Sequence, residues 1–236
     1  MSSTADVTNH PSFFHRIKDA LPTAAGKHVV WGQLYGSSDS YALAQAALAD
    51  QGLFVIIVNS NREQERFAKE IAFFAPSVDV YELPAWETLA YDQFSPHADI
   101  VSQRLATLAK LPNVKHGIVL VTLDGIMQRL SPRAHVDASQ LKLTTDSKID
   151  HQQLRQTLDQ LGYIKVSQVH EPGEFAIRGH LIDVFPMGQH TPFRIDLLDD
   201  DIESIRRFDP DTQRSIKTLD QVQLLPAREY PFNPGA

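Results

Sequence analysis

The chain has 236 residues, a formal net charge of −7 and no cysteine. The length suits one large or two modest domains, and the acidic balance excludes a basic footprint over the whole surface, as nucleic-acid-binding proteins often carry. Lack of cysteine excludes disulfides and thiolate metal sites and fits a reducing compartment. The longest strongly apolar run, residues 53–58, is too short to span a bilayer, and residues 1–10 lack the apolar core of a signal peptide. We therefore expect a cytoplasmic protein without membrane association.

The first part of the chain alternates strands with helices. Residues 53–58 form a continuous apolar, β-branched run, which predicts a strand buried on both faces. The other predicted strands are 29–31, 78–83 and 117–121, and the predicted helices are 13–20, 41–49, 61–74, 100–111 and 123–130. Such alternation implies parallel βαβ units, so we predict an α/β domain with a parallel sheet over residues 1–135.

The pattern changes near Ser131 and Pro132. A strand at 141–144 and a helix at 150–161 follow, with Asp150 as the predicted N-cap and Gly162 as the predicted stop. From residue 178 onwards, short runs with period-two alternation predict an antiparallel meander, and residues 222–225 predict a last strand. The second part is therefore predicted to be a smaller α+β domain over residues 136–226, followed by a tail at 227–236.

A turn at residues 35–40 precedes the helix at 41–49, in the place where nucleotide-binding folds carry a phosphate loop. A working loop needs a lysine against the phosphates, but Asp39 stands where that lysine would be, and Ser38 replaces the second glycine. At ~4 Å and an effective dielectric of ~20, each unit of this charge change is worth roughly 4 kcal/mol. The sequence thus predicts a degenerate fold of the P-loop NTPase type that binds no nucleotide.

One strand of the meander, residues 193–198, separates two kinds of side chain. The apolar ones on one side are predicted to be core: Phe193, Ile195 and Leu197. The other side mixes a cation, an anion and an apolar group, as recognition faces do: Arg194, Asp196 and Leu198.

Two arginines of this region, Arg178 and Arg194, have two interpretations. Each forms a surface ion pair of little energetic value with Asp183 or Asp196, or each anchors a partner's carboxylate through its bidentate fork. The residues alone leave the two interpretations open. The outward position of Leu198 on the strand of Arg194 favours an interface.

Other patterns give no support for catalysis. No HExxH motif, Gly-x-Ser-x-Gly elbow or EF-hand spacing occurs, so we predict no catalytic residue, no metal site and no cofactor. His97 is interpreted as a capping or packing residue. Residues 84–99 have turn chemistry without a clear period and contain three aromatic residues, Trp86, Tyr91 and Phe94. These form either a platform for single-stranded nucleic acid or part of the domain packing, and the lack of interleaved Lys or Arg favours packing.

Two long motifs carry a resemblance to a known family. Residues 83–97, LPAWETLAYDQFSPH, and residues 174–186, EFAIRGHLIDVFP, with FRID at 193–196, resemble the N-terminal region of the bacterial transcription-repair coupling factor, Mfd. The related excinuclease subunit UvrB keeps a working phosphate loop, whereas Ser38 and Asp39 match the degenerate version in the Mfd family.

The resemblance implies a damaged ATPase-like domain followed by a domain that binds UvrA, the damage-recognition subunit of nucleotide excision repair. Arg178 and Arg194 match two arginines that the family uses against UvrA, and Leu198 stands where the family has a phenylalanine. In the full-length family protein, a motor and other segments engage RNA polymerase and double-stranded DNA, so residues 227–236 are expected to be a truncated linker.

The expected function is therefore a non-catalytic docking module that recruits UvrA to stalled RNA polymerase. The alternative is a nucleotide-dependent or DNA-gripping domain like that of UvrB. A third interpretation is a module that only shields the motor and has no partner of its own.

Overall fold

The computed structural model describes residues 21–50, 52–88, 93, 95–138 and 140–230. By its contacts the chain divides into two compact units, which comprise residues 1–82 with 114–123, and residues 83–113 with 124–236. The predicted helix at 13–20 lies outside the described residues, as do Tyr91 and Phe94 of the aromatic stretch. Each unit is described separately below.

The first unit contains a three-stranded sheet. Its elements are α1 (Ser38–Ala49), β1 (Leu53–Val58), α2 (Asn61–Phe74), β2 (Val80–Leu83) and β3 (Gly117–Thr122). The strand order is β1-β3-β2, and β1 runs parallel to β3, which confirms the predicted parallel pairing. Buried side chains of α1 and α2, among them Ala44, Phe67 and Ile71, pack with Val58 and with β3. The apolar residues of α1 and α2 recur at helical spacing, so both helices pack their apolar sides on one face of this sheet.

Two predictions for the first unit are wrong. Residues 53–58 do form a strand, but alternate side chains of β1 are exposed, and Val55 is 56% exposed. The reason is that α1 and α2 pack on the face of Phe54, Ile56 and Val58, and β1 lies at an edge of the sheet. Residues 29–31 form no strand, because no described strand pairs with this short apolar run, and Val30 is 91% exposed.

The second unit is richer in strands. Its helices are α3 (Ala98–Lys110), a short 3₁₀ turn (Leu111–Asn113), α4 (Leu123–Met127, which begins at the unit boundary), α5 (Arg133–Ala138) and α6 (His151–Gln160). Its strands are β4 (Leu141–Thr144), β5 (Ile164–Lys165), β6 (Glu174–Arg178), β7 (Leu181–Val184), β8 (Phe193–Leu198), β9 (Asp201–Phe208), β10 (Ser215–Leu219) and β11 (Gln221–Leu224). None of the helices in the described part of the chain has both the length and the apolar character that crossing a membrane requires.

A six-stranded sheet forms the centre of this unit. Its order is β10-β9-β8-β7-β6-β5, antiparallel except for the β5–β6 pair, so the predicted meander is confirmed. One face packs against α3 and α6 and includes the three predicted core residues of β8, which are at most 3% exposed: Phe193, Ile195 and Leu197. Strand alternation therefore leaves the opposite face for polar side chains. A separate pair, β11 with β4, completes the unit.

A buried ion pair joins distant parts of the second unit. Arg104 of α3 is 0% exposed and donates from Nε and Nη2 to the carboxylate of Glu229 at 2.9 and 2.8 Å. Trp86 donates from Nε1 to the same carboxylate at 3.2 Å, and the Arg104 guanidinium lies 5.1 Å from the Trp86 ring centroid. Trp86 thus packs within the unit, in agreement with the packing interpretation of its stretch.

The N-terminus of α6 provides a direct test of the capping prediction. The Asp150 side chain accepts a hydrogen bond from the backbone N–H of Gln153 at 2.9 Å. Asp150→Ala should lower the free energy of unfolding by about 1 kcal/mol, because the amide loses its partner at the positive end of the helix. Urea unfolding measures this loss. Asp150→Asn, which still caps, is the control, and equal stability of the Ala variant and the wild type would contradict the assignment.

Candidate functional site

The second face of the six-stranded sheet brings together the candidate residues. We call six side chains the polar face: Arg178, Asp183, Arg194, Asp196, Leu198 and Arg206. Asp183 of β7 lies directly opposite Arg194 of β8, and Arg194 lies opposite Arg206 of β9. Arg178 follows Ala176 by two residues on β6, and Ala176 lies opposite Asp183. Since strands alternate with period two, these side chains leave the sheet on the same side.

Arg194 is held firmly within the fold. It donates from Nε to Oδ1 of Asp183 at 2.7 Å and from Nη2 to Oδ2 at 2.9 Å, which is a bidentate pair. Its Nη2 also donates to Oε1 of Gln213 at 3.1 Å, and its guanidinium lies 4.5 Å from the ring centroid of Phe208. Hydrogen bonding to Asp183 raises the pKa of Arg194. With 15% of its side chain exposed, Arg194 offers little surface to an outside ligand.

Arg178 has a different environment. Its Nη2 donates to Oδ2 of Asp183, and 45% of its side chain is exposed, whereas the Asp183 side chain is 1% exposed. Two guanidinium groups therefore share one buried carboxylate. Both arginines therefore form the ion pair with Asp183 that was one of the two interpretations of the sequence. The cluster of Asp183, Arg178 and Arg194 has one excess positive charge, and its exposed guanidinium is that of Arg178.

A second charged cluster continues the polar face. Arg206 donates from Nη2 to Oδ2 of Asp196 at 3.1 Å, and Nε2 of His180 lies 3.6 Å from Oδ1 of Asp196. His180 belongs to the turn between β6 and β7. Each aspartate of the polar face thus pairs with at least one arginine, and the three arginines outnumber the two aspartates by one.

Leu198 supplies the apolar part of the polar face. It is the last residue of β8, is 65% exposed and lies two residues beyond Asp196. Arg178 of β6, Leu181 of β7 and Asp196 of β8 form one row across the three strands. Leu198 is therefore about 7 Å along the strand beyond the row that contains Arg178. Arg178 on β6 and Leu198 on β8 thus place an exposed guanidinium and an exposed leucine on one face of the sheet. Such a face suits contact with another protein, since interfaces combine an apolar centre with charged anchors.

Sequence reasoning missed Gln213 and Arg206. Gln213 lies in the connection between β9 and β10 with a φ of +60°, and no sequence pattern brings it to Arg194. Arg206 was within a predicted strand, and the register of β8 with β9, once known, places it beside Arg194. Among the described residues, no group of three or more His, Asp or Glu is arranged to hold a metal ion. His97 caps α3 by accepting from the Asp99 amide at 3.3 Å, as interpreted.

The turn of the first unit is filled by its own side chains. Arg66 of α2 donates from Nη2 to Asp39 at 2.9 Å and from Nη1 to Glu70 at 2.9 Å. The hydroxyls of Ser37 and Ser40 donate to the Glu70 carboxylate. Hydrogen bonding from Arg66 lowers the pKa of Asp39, and hydrogen bonding from Ser40 lowers the pKa of Glu70. Two carboxylates, Asp39 and Glu70, therefore lie at the turn that leads into α1 and are paired with Arg66 and the two hydroxyls.

The lowered pKa values of Asp39 and Glu70 predict an acid-dependent loss of stability. A carboxyl group whose pKa is lower in the folded state than in the unfolded state stabilises the folded protein at pH values above the ordinary pKa, which is 3.8 for Asp39 and 4.5 for Glu70. This stabilisation disappears as the pH falls through the pKa of the folded state. We therefore expect Asp39→Asn to be less stable than the wild type at pH 7, with a difference that shrinks below pH 3.8. Urea unfolding of both proteins from pH 7 to pH 3 measures it, and a difference independent of pH would contradict the expectation.

Comparison with family models gives a match within the second unit. Residues 141–230 match the family model of the UvrB interaction domain. This range contains the sheet from β5 to β10 and all six residues of the polar face.

Comparison with curated proteins gives relatives over most of the chain. The transcription-repair-coupling factor of Escherichia coli (strain K12) is 39% identical over 216 residues, which cover 92% of this chain and 19% of that protein. The transcription-repair-coupling factor of Haemophilus influenzae is 39% identical over 211 residues, or 89% and 18% of the two chains. That of Rickettsia bellii is 31% identical over 182 residues, or 77% and 16%. The chain thus spans about a fifth or less of the length of these relatives.

Proposed function

Because this chain belongs to the transcription-repair-coupling factor family and carries a UvrB interaction domain, we propose that it is a non-catalytic docking module that binds UvrA through the polar face. The observation that carries the proposal is that an exposed guanidinium, Arg178, and an exposed apolar side chain, Leu198, lie on the same face of one sheet within the matched range. The resemblance to this family implies the same two positions, together with Arg194, for contact with UvrA.

The energetics of such a face suit reversible docking. Charge-assisted hydrogen bonds contribute about 1.5–3 kcal/mol each, and an apolar contact at the centre adds to them. The other charged side chains of the polar face are already paired with each other, so burying them against a partner leaves few charges without a counter-ion. We therefore propose that UvrA presents at least one carboxylate to Arg178 and an apolar surface to Leu198.

The first unit supports a module without nucleotide turnover. A polyphosphate at the 35–40 turn would meet the carboxylates of Asp39 and Glu70, which already hold Arg66 and the two serine hydroxyls. Repulsion between like charges at such distances amounts to several kcal/mol. We propose that residues 1–135 are an ATPase-like domain that has lost nucleotide binding, and that residues 136–226 are the UvrA-binding domain.

In the full-length protein, docking would bring UvrA to stalled RNA polymerase. We propose that RNA polymerase and double-stranded DNA bind to other segments of that longer protein. This chain would then contribute the recruitment step alone.

Titration of the purified chain with purified UvrA tests the proposal, with calorimetry and a pull-down as readouts. The expected result is saturable binding that weakens as salt rises, because the pairs at the rim are screened. Parallel titrations with magnesium and ATP, and with short double-stranded DNA, should show no saturable heat. Absence of UvrA binding would refute the proposal, and saturable ATP or DNA binding would favour a domain like that of UvrB.

A further inference from the structure

We propose that the buried carboxylate of Asp183 is the positioning residue of the docking face, which fixes Arg194 within the fold and orients Arg178 towards a partner's carboxylate. This inference rests on the proposed docking to UvrA. It assigns different roles to Arg178 and Arg194, which look equivalent in the sequence. In this arrangement Arg178 is the contacting residue, and Arg194 acts through Asp183.

The first support is the burial of Asp183. It lies in the middle of the sheet between β6 and β8, and 1% of its side chain is exposed. A buried carboxylate needs paired donors, because an ionised group without them is strongly disfavoured away from water. Its donors are two guanidinium groups, which together carry one positive charge more than Asp183 neutralises.

The second support is the unequal hold on the two arginines. Arg194 makes a bidentate pair with Asp183, a further bond to Gln213 and a contact over the Phe208 ring. Arg178 donates to one oxygen of Asp183, Oδ2, and the same oxygen also accepts a hydrogen bond from Nη2 of Arg194. If Arg178 leaves, Asp183 keeps both bonds from Arg194 and stays paired. The departure of Arg178 therefore does not leave a buried charge without a partner.

The third support concerns what the partner gains. Arg178 is held through Nη2 by Asp183 with 45% of its side chain exposed, so little side-chain entropy is lost when a carboxylate binds it. A carboxylate of UvrA binds the exposed part of this guanidinium and neutralises the one excess positive charge of the cluster. The class of ligand is thus an acidic side chain flanked by an apolar group.

Binding measurements on three single variants, one double variant and a control variant test this inference. We expect Arg178→Gln to weaken UvrA binding by about 10-fold or more and Asp183→Asn to weaken it by about 10-fold, since each factor of ten corresponds to one lost or misplaced charge-assisted bond. In the double variant the two effects should not multiply, because Asp183 acts on binding through Arg178. Asp183→Glu, which keeps the charge, should recover part of the affinity. Asp159→Asn, which disrupts an exposed pair with Arg155 on α6, is the matched control and should bind like the wild type.

Side-chain NMR of the free chain gives a readout that does not need UvrA. Hydrogen exchange at Nε of Arg194 should be slow in the wild type and fast in Asp183→Asn, whereas Arg178 should exchange fast in both. Equal exchange at the two arginines of the wild type would overturn the inference, as would wild-type affinity in a folded Asp183→Asn. Failure of the wild type to bind UvrA would refute the proposed function instead, and the exchange rates would still decide how Asp183 holds the arginines.

Discussion

Glu229→Gln should lower the free energy of unfolding of the second unit by about 3–5 kcal/mol. The substitution removes the charge that compensates Arg104, which is 0% exposed. A buried guanidinium without a counter-ion must either be hydrated, which opens the packing, or stay desolvated at high cost. The change keeps the size of the side chain, so little of the loss comes from a cavity.

Chemical unfolding monitored by the fluorescence of Trp86, in a Trp31→Phe background, measures this loss, because Trp86 donates to the same carboxylate. The control is Asp159→Asn, whose partner Arg155 is 54% exposed, and there we expect a loss of no more than about 0.5 kcal/mol. A loss below about 1 kcal/mol for Glu229→Gln would show that the pair contributes little. Joint replacement by Arg104→Met and Glu229→Leu should recover much of the stability, since paired apolar substitutes leave no buried charge.

Arg178→Glu should weaken UvrA binding by at least about 100-fold, which is roughly 2.7 kcal/mol. The variant replaces attraction to a partner's carboxylate by repulsion, in addition to the loss of the hydrogen bond. The fold should be retained, because Arg178 is 45% exposed and Asp183 remains paired with Arg194. Competition titration against the wild type, with circular dichroism to verify folding, measures the effect.

The matched control is Arg155→Glu, another half-exposed arginine of the same unit that pairs with an aspartate but lies on α6. It should bind UvrA within about twofold of the wild type. Binding of Arg178→Glu within threefold of the wild type would remove Arg178 from the interface. Arg194→Glu is a weaker test, since it removes the bidentate partner of the buried Asp183 at a position that is only 15% exposed and would mix unfolding with lost contact.

Much of the second unit was predictable from local patterns. The alternation in 193–198 assigned Phe193, Ile195 and Leu197 to the core, and the burial of these residues agrees. Asp150 was recognised as a cap because its side-chain chemistry suits that position. Local patterns worked here because each depends on residues within one turn of helix or one strand.

The first unit shows where such patterns fail. A continuous apolar run at 53–58 correctly indicated a strand but not the exposure of Val55, because the run does not encode whether the strand is central or lies at an edge. The apolar residues at 29–31 indicated a strand, but a strand needs a partner, which a local pattern cannot supply.

The sequence alone determined which residue types are available: arginines at 178 and 194, a leucine at 198, and an aspartate at 39. Only the tertiary structure decided how they are used. Sheet register put Asp183 between the two arginines and left Arg178 exposed while enclosing Arg194. The ion pair of Arg104 with Glu229, 125 residues apart in the chain, likewise exists only after folding. The physical reason is that burial and pairing depend on neighbours that are distant in sequence, whereas alternation and capping depend on neighbours that are close.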